Sequence, residues 1–299
     1  MTSRILSTSD GTNRQSFSAG DWGLFWSISV IWGASFLLMD IGLEAVRPGL
    51  VTLLRVGLGA AILWLFPATR VRVQREDWAR LIALSIIWVA IPFTLFPIAQ
   101  QWINSALAGM LNGAMPIFAA AIASILLRRL PRGAQLAGVV IGFFGVIAIA
   151  SPSLGEGSSE ALGVILVLIA TICYGVAVTI AAPIQQRYGS LPVMGRMLAL
   201  ATVWTTPLGL WEAVDSRWQW DSFAAVAIAG VVGTGLAFVI MGTLVGRVGS
   251  TRASFITYLI PVIALGLGVA FRGDVVTVVS IIGVALVIAG ALLASRSEN

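Results

Sequence analysis

Residues Ser105 to Val146 recur in the chain, without a gap, 145 positions later. Ser105 falls on Ser250, Ala108 on Ala253, Pro116 on Pro261 and Ala119 on Ala264. Gly138 falls on Gly283, Val139 on Val284 and Gly145 on Gly290, and the register extends backwards to pair Phe93 with Phe238. Apolar segments match some Ala and Val by chance, but a proline and two glycines in one ungapped register are harder to dismiss. The chain therefore reads as an internal duplication. Whatever it folds into must use an apolar, proline-broken, glycine-studded unit twice.

The solvent for such a unit follows from composition. Of 299 residues, 58% are hydrophobic and 10% charged, with a mean hydropathy of +0.97. A soluble domain cannot hide that much apolar surface, so the surroundings are mostly lipid. Ten apolar runs are long enough, at roughly 17–25 residues each, to cross a bilayer as helices. They are Trp22–Met39, Pro48–Phe66, Ala79–Gln100, Ser105–Leu127, Ala134–Ala150, Ala161–Ala182, Leu191–Trp211, Phe223–Val245, Arg252–Phe271 and Val275–Ala294. Run length and the lack of period-two alternation exclude barrel strands. The expected fold class is an all-α membrane protein of ten transmembrane helices in two five-helix repeats.

All eighteen basic residues are arginine, and their placement orients the chain. Arg70, Arg72, Arg75, Arg80, Arg128, Arg129, Arg132, Arg187, Arg247 and Arg252 lie in loops on the side of the termini, with Arg4, Arg14 and Arg296 in the tails. The opposite side has Arg47, Arg217 and Arg272, diluted by Asp40, Glu44, Glu156, Glu160, Asp215, Asp221 and Asp274. The positive-inside rule then predicts two cytoplasmic termini. The pI near 10.6 is accounted for by topology, and nucleic acid is not an expected partner. The expected organisation is a polar cytoplasmic tail over residues 1–21, a first repeat over 22–150, a linker over 151–160, a second repeat over 161–294 and a short tail over 295–299. The N-terminal segment lacks the pattern of a cleavable signal. The single cysteine, Cys173, excludes an intrachain disulfide.

Five spans per half is an odd number, so equivalent helices run in opposite directions and the halves form an inverted repeat. Transporters built this way bind substrate near mid-membrane between the repeats. Proline lacks an amide hydrogen and frees the carbonyl four residues earlier. Pro116 thus frees Asn112 and Pro261 frees Thr257, each about a turn from the middle of its span and each carrying a polar side chain. Two readings stay open: these side chains repair a kink by bonding neighbouring helices, or they face a wet cavity and contact substrate. Pro92 and Pro97 interrupt the third span, Pro183 and Pro207 the sixth and seventh. Pro116, Pro261, Pro92 and Pro97 are candidate hinges.

Phe93, Phe238 and Tyr258 are candidate cavity walls or, equally, packing aromatics. Trp32 and Tyr174, in the first span of each half, need partners for their N–H and O–H, which favours the bundle interior. Arg55 and Arg196 lie inside apolar runs in the second span of each half. They either snorkel to an interface or attract a carboxylate-bearing substrate. Gly138, Gly142 and Gly145, with Gly283 and Gly290, read as close helix contacts.

Much chemistry is excluded. No carboxylate lies deep in a span, and there is no histidine or lysine for a proton relay. There is no GxxxxGK[ST] loop, no metal-ligand cluster and no nucleophile with a plausible base. No enzyme activity, metal or cofactor is expected.

Trp32-Gly33-Ala34-Ser35-Phe36, the Ala106–Pro116 stretch, and the glycines of Gly138–Gly145 and Gly283–Gly290 resemble the drug/metabolite transporter superfamily, in its ten-helix EamA-type branch. The resemblance spans roughly residues 22–294. The family often carries a glutamate after its fourth and ninth spans, where this chain has Arg129 and Asp274. The resemblance implies a secondary transporter in the bacterial cytoplasmic (inner) membrane that exports amino acids, other metabolites or drugs by alternating access at a central cavity. Its expected partners are a small-molecule substrate and the lipid bilayer, with no obligate protein partner evident. Within it, YddG-like amino-acid exporters are the favoured comparison, with substrate contacted by Asn112 and Thr257 and walled by Trp32, Phe93, Tyr174, Phe238 and Tyr258. The rivals are a multidrug or nucleotide-sugar carrier, a membrane enzyme acting on lipid, and a non-transporting scaffold.

Overall fold

The computed structural model describes residues 17–126, 133–156 and 158–295. Among them are ten helical spans in chain order. Span 1 is Ala19–Leu43 and span 2 is Pro48–Leu65. Span 3 runs from Trp78 to Ala99 through a π-helical stretch, Ser85–Ala90. Span 4 is Ser105–Asn112 followed, after two residues, by Met115–Leu126. Span 5 is Gly133–Glu156, span 6 Ser158–Tyr188 and span 7 Ser190–Ala213. Span 8 runs from Trp220 to Val248 with its own π-helical stretch, Val231–Leu236. Span 9 is Ser250–Ala253 and Ile256–Arg272, and span 10 is Val278–Ala294. Both described ends of the chain share one membrane face, called here the near face.

Local chemistry sets the helix ends. Asn104 accepts from the Leu107 amide at 2.8 Å to cap span 4, and Thr277 accepts from the Ser280 amide at 3.1 Å to cap span 10. Spans 6 and 7 join through a single residue, Gly189, at φ 85°, and spans 8 and 9 through Gly249, at φ 87°. A side chain at either φ would strain the backbone, so glycine permits these one-residue reversals.

The packing follows a two-fold plan. Spans 5 and 10 pack on each other, and so do spans 2 and 7. Span 1 leaves its own half to pack on spans 8 and 9, and span 6 packs on spans 3 and 4. Each half thus lends its first helix to the other. The pairing of spans 5 and 10 is as close as helices allow. A Cβ on Gly290 would lie 2.5 Å from the Gly142 amide nitrogen, and one on Gly145 would lie 2.7 Å from that of Val287. On span 5's outer face, Phe143 and Phe144 are exposed, as lipid-facing residues are.

Several sequence expectations need correction. Span 1 starts within the expected tail, at Ala19, because Ser18 and Asp21 form a reciprocal capping box. The expected linker 151–160 is mostly helix, since span 5 runs to Glu156 and span 6 begins at Ser158. Pro183 and Pro207 sit inside unbroken helices. The interruptions of spans 4 and 9 do not superpose. Span 4 breaks at Gly113–Ala114, just before Pro116, whereas span 9 breaks at Ser254–Phe255 and Pro261 lies within the following helix. Residues 1–16 of the expected tail lie outside the described residues, as do Arg128, Arg129, Arg132 and Arg296.

Candidate functional site

The central site is built around Pro97 of span 3, which lies inside the helix Ile91–Ala99. Pro97 cannot donate to the carbonyl of Phe93. Thr52 of span 2 supplies the missing donor, its Oγ1 lying 2.8 Å from the Phe93 oxygen and 3.0 Å from that of Pro48. Three residues on from Thr52, on the same helix face, is Arg55. Its guanidinium carbon sits 4.5 Å from the centroid of the Phe93 ring, within cation–π range.

Arg55 does not snorkel. It is 8% exposed and points into the bundle, where Nε donates to Thr234 Oγ1 at 3.2 Å and Nη1 lies 2.9 Å from Met39 Sδ. Thr234 is itself fixed by the π-helical stretch of span 8, with its hydroxyl donating to the Ala229 carbonyl at 3.0 Å. Its hydrogen is therefore spent, and it meets Arg55 as an acceptor. No described residue accepts from Nη2, and none of the described carboxylates pairs with this cation. Its repeat counterpart Arg196 is wired differently. Nη1 donates to the carbonyls of Thr69 and Pro192, both at 3.0 Å, with the Trp64 ring 5.7 Å away, near the near-face end of span 7.

An aromatic wall continues from Arg55. Tyr174 of span 6 lies within electrostatic range of the guanidinium and stacks on Phe96 at 6.0 Å. Phe96 in turn meets Phe36 of span 1 at 5.5 Å. Tyr174 packs against both hydrophobic clusters of the protein, so it lies between them. Trp32 and Phe238 make a second aromatic pair, edge to face at 6.1 Å. Neither the Trp32 N–H nor the Tyr174 O–H has a hydrogen-bond partner among the described residues.

Asn112 ends the far half of span 4, one turn beyond Gly109, which packs against Phe36. Its Oδ1 is fully buried and has no hydrogen-bond partner among the described residues. The structure thus brings Arg55, Phe93 and Tyr174 together, sets Trp32 on Phe238, and places Asn112 a turn from the Phe36 contact. Thr257 and Tyr258 are turned elsewhere. The Thr257 hydroxyl donates to the Ser254 carbonyl at 2.7 Å, and the Tyr258 hydroxyl to that of Ala291, on span 10, at 3.3 Å.

Thr234, Met39, Phe36 and Phe96 escaped the sequence reading. A period-three look at Phe93 and Phe96 would have found the latter. Nothing local marks Thr234, because span 8 shifts its register through glycines rather than proline. Gly59 lets span 2 close on it, and a Cβ there would sit 2.6 Å from Thr234 Cγ2.

Spans 4 and 9 pack on each other over their far halves. Contacts run from Gly268 with Ser105 and Ala106, through Gly109 with Ala264, to Gly113 against the Pro261 ring. Beyond Gly113 the near half of span 4 packs on spans 5, 6 and 10 instead. At the far face, Arg272 at the end of span 9 bonds Asp40 and Glu44 of span 1 at 2.5 Å each.

Residues 21–151 and 161–296 each match the EamA-like transporter family, one match per repeat. The chain belongs to that family. Its relatives include the uncharacterized transporter YoaV of Bacillus subtilis, 24% identical over 88% of this chain and 92% of that one. A probable terminal-alkyne amino-acid exporter of Streptantibioticus cattleyicolor is 25% identical over 92% and 93% of the two chains. A probable amino-acid metabolite efflux pump of Salmonella typhimurium is 24% identical over 88% and 90%. A crystal structure superposes with a TM-score of 0.63 at 18% identity, covering 93% of this chain and 97% of the other, which shows the shared fold. As an EamA family member the protein is a multi-pass membrane transporter.

Proposed function

We propose that this transporter exports amino acids or related small metabolites across the cytoplasmic membrane by alternating access at the central chamber. The near face is then cytoplasmic, in line with the arginine distribution. The observation that carries the reading is a set of polar groups within the spans that have no hydrogen-bond partner among the described residues: Arg55 Nη2, the Tyr174 hydroxyl, the Trp32 N–H and Asn112 Oδ1. Each such group costs on the order of 1–3 kcal/mol if left unsatisfied. A chamber that admits water and a polar solute removes that cost. Two relatives bear names of amino-acid efflux. The contact between spans 4 and 9 over their far halves, with the Arg272 cluster beyond it, fits the state in which the chamber is sealed from outside.

Reconstituted liposomes holding only this protein, assayed with a labelled panel of amino acids and their derivatives, test the reading. Saturable, protein-dependent movement of at least one panel member is expected. A panel in which nothing moves overturns it.

A further inference from the structure

We propose that Arg55 is the carboxylate anchor of the chamber, so that the substrates are small molecules with a free carboxylate beside an apolar or aromatic body. The proposal rests on the transport reading above and narrows it.

A cation removed from water is penalised by several kcal/mol unless it is paired. Arg55 is buried, yet its partners are a threonine oxygen, a thioether sulfur and the face of Phe93, all neutral. Arg196 shows how the same fold satisfies an arginine whose role is architectural, by setting two backbone carbonyls on Nη1. Nothing of that kind is built around Nη2 of Arg55.

The groups facing the guanidinium tell which ligand completes it. Thr234 is fixed as an acceptor for Nε by its own bond to Ala229, which sets the guanidinium plane. Phe93, pinned through its carbonyl to Thr52, supports one face of that plane. Nη2 is left to donate, and the Tyr174 hydroxyl nearby has no partner among the described residues. A buried guanidinium whose described partners are all neutral, with Nη2 unsatisfied and no described carboxylate paired with it, makes an anion site. A planar carboxylate matches the planar fork of arginine. The half-buried Tyr174 ring, backed by the buried Phe96 and Phe36, is the apolar surface available to the rest of the molecule.

The test has two arms. In the first, the unaltered protein in liposomes is given each amino acid of the panel beside its carboxamide and its decarboxylated amine. Acids are expected to move, and the amide or amine to compete at least tenfold more weakly. In the second, Arg55→Gln and Arg55→Lys are compared with the parent. Arg55→Gln is expected to raise KM for the acid at least tenfold and abolish the preference over the amide, while Arg55→Lys keeps part of it. Amides moving as well as acids, or Arg55→Gln retaining the preference, overturns the anchor and leaves the transport reading standing. No movement of any acid, amide or amine overturns both. The first arm needs no variant, so it tests the carboxylate requirement even if Arg55→Gln fails to fold, and Arg55→Lys, which keeps the charge, then carries the test of the anchor.

Discussion

Thr52 donates its hydroxyl to the carbonyl of Phe93, 2.8 Å away on the neighbouring span. This one bond joins the proline-freed carbonyl to the candidate site. Pro97 removes the helical donor, Thr52 replaces it, and the Phe93 ring is held beneath Arg55, one turn from Thr52. Thr52→Val keeps the side-chain shape and removes the donor. We expect it to destabilise the protein by about 1–3 kcal/mol, the cost of an unsatisfied buried carbonyl. The apparent affinity for substrate should fall with it, and Thr52→Ser should restore both. Melting temperatures in detergent and KM values in liposomes check this; a Val variant as stable as the parent contradicts it.

If the protein works by the proposed alternating access, the lack of a side chain at Gly109 lets spans 4 and 9 seal the far face. A Cβ there would lie 2.2 Å from that of Ala264 and 3.3 Å from the Phe36 ring. Overpacking of this kind costs about 1–3 kcal/mol. Gly109→Val is therefore expected to favour the state open at the far face, and Ala264→Gly to relieve it. The readout is maleimide labelling of Ala106→Cys, buried in this state, in a Cys173→Ala background. Faster labelling in Gly109→Val, reversed in the double variant, is the expected pattern. Labelling unchanged by Gly109→Val removes the gate from this contact.

Arg272 with Asp40 and Glu44 adds a weaker latch. The arginine and Glu44 side chains are about a third exposed, so water screens much of the attraction. Each pair then contributes about 0.2–1 kcal/mol. Asp40→Asn and Glu44→Gln should each speed labelling at Ala106→Cys by up to about fivefold, the equivalent of 1 kcal/mol. KM should stay unchanged, since neither carboxylate reaches the chamber. A rise in KM in either variant would assign the cluster to the substrate path.

Orientation has its own test. With the near face cytoplasmic, Asp215→Cys should be labelled by an impermeant reagent on intact cells, and Arg72→Cys only after permeabilisation. Both positions lie in connections between spans, on opposite faces. The reverse pattern would invert the direction of export.

The gross architecture was legible because lipid leaves few options. Run lengths implied ten spans, and the 145-residue register made the halves equivalent. The glycines of spans 5 and 10 pointed to a close contact that the structure contains. The breaks were less legible. Proline predicts where a donor is lost but not how the chain compensates. Pro97, Pro183 and Pro207 all remain within continuous helices, and at Pro97 another helix supplies the donor. The π-helical stretches of spans 3 and 8 are symmetric in space, yet only one precedes a proline, and the other carries Gly233 and Gly235. Arg55 and Arg196 look alike in sequence. Their difference lies in what spans 8 and 1 bring to one of them and the loop at Thr69 brings to the other, which neither local sequence displays.

The repeat equates Asn112 with Thr257, and the structure gives them different work. The Thr257 hydroxyl is committed to the Ser254 carbonyl at the break of its own span, while Asn112 Oδ1 is buried with no partner among the described residues. If Asn112 contacts substrate, Asn112→Ala removes about 0.5–1.5 kcal/mol of net hydrogen bonding and raises KM roughly two- to tenfold. Thr257→Ala should leave KM within about twofold of the parent, below the effect of a single net hydrogen bond. Stability should move the other way at Asn112. Deleting a buried acceptor that the protein does not satisfy relieves a penalty of about 1–3 kcal/mol, so Asn112→Leu is expected to melt higher than the parent while transporting worse. A structural asparagine would behave oppositely, with Asn112→Leu melting lower and KM holding steady. Equal KM effects at the two positions would instead restore a symmetric site, with Thr257 turning from Ser254 towards substrate during the cycle.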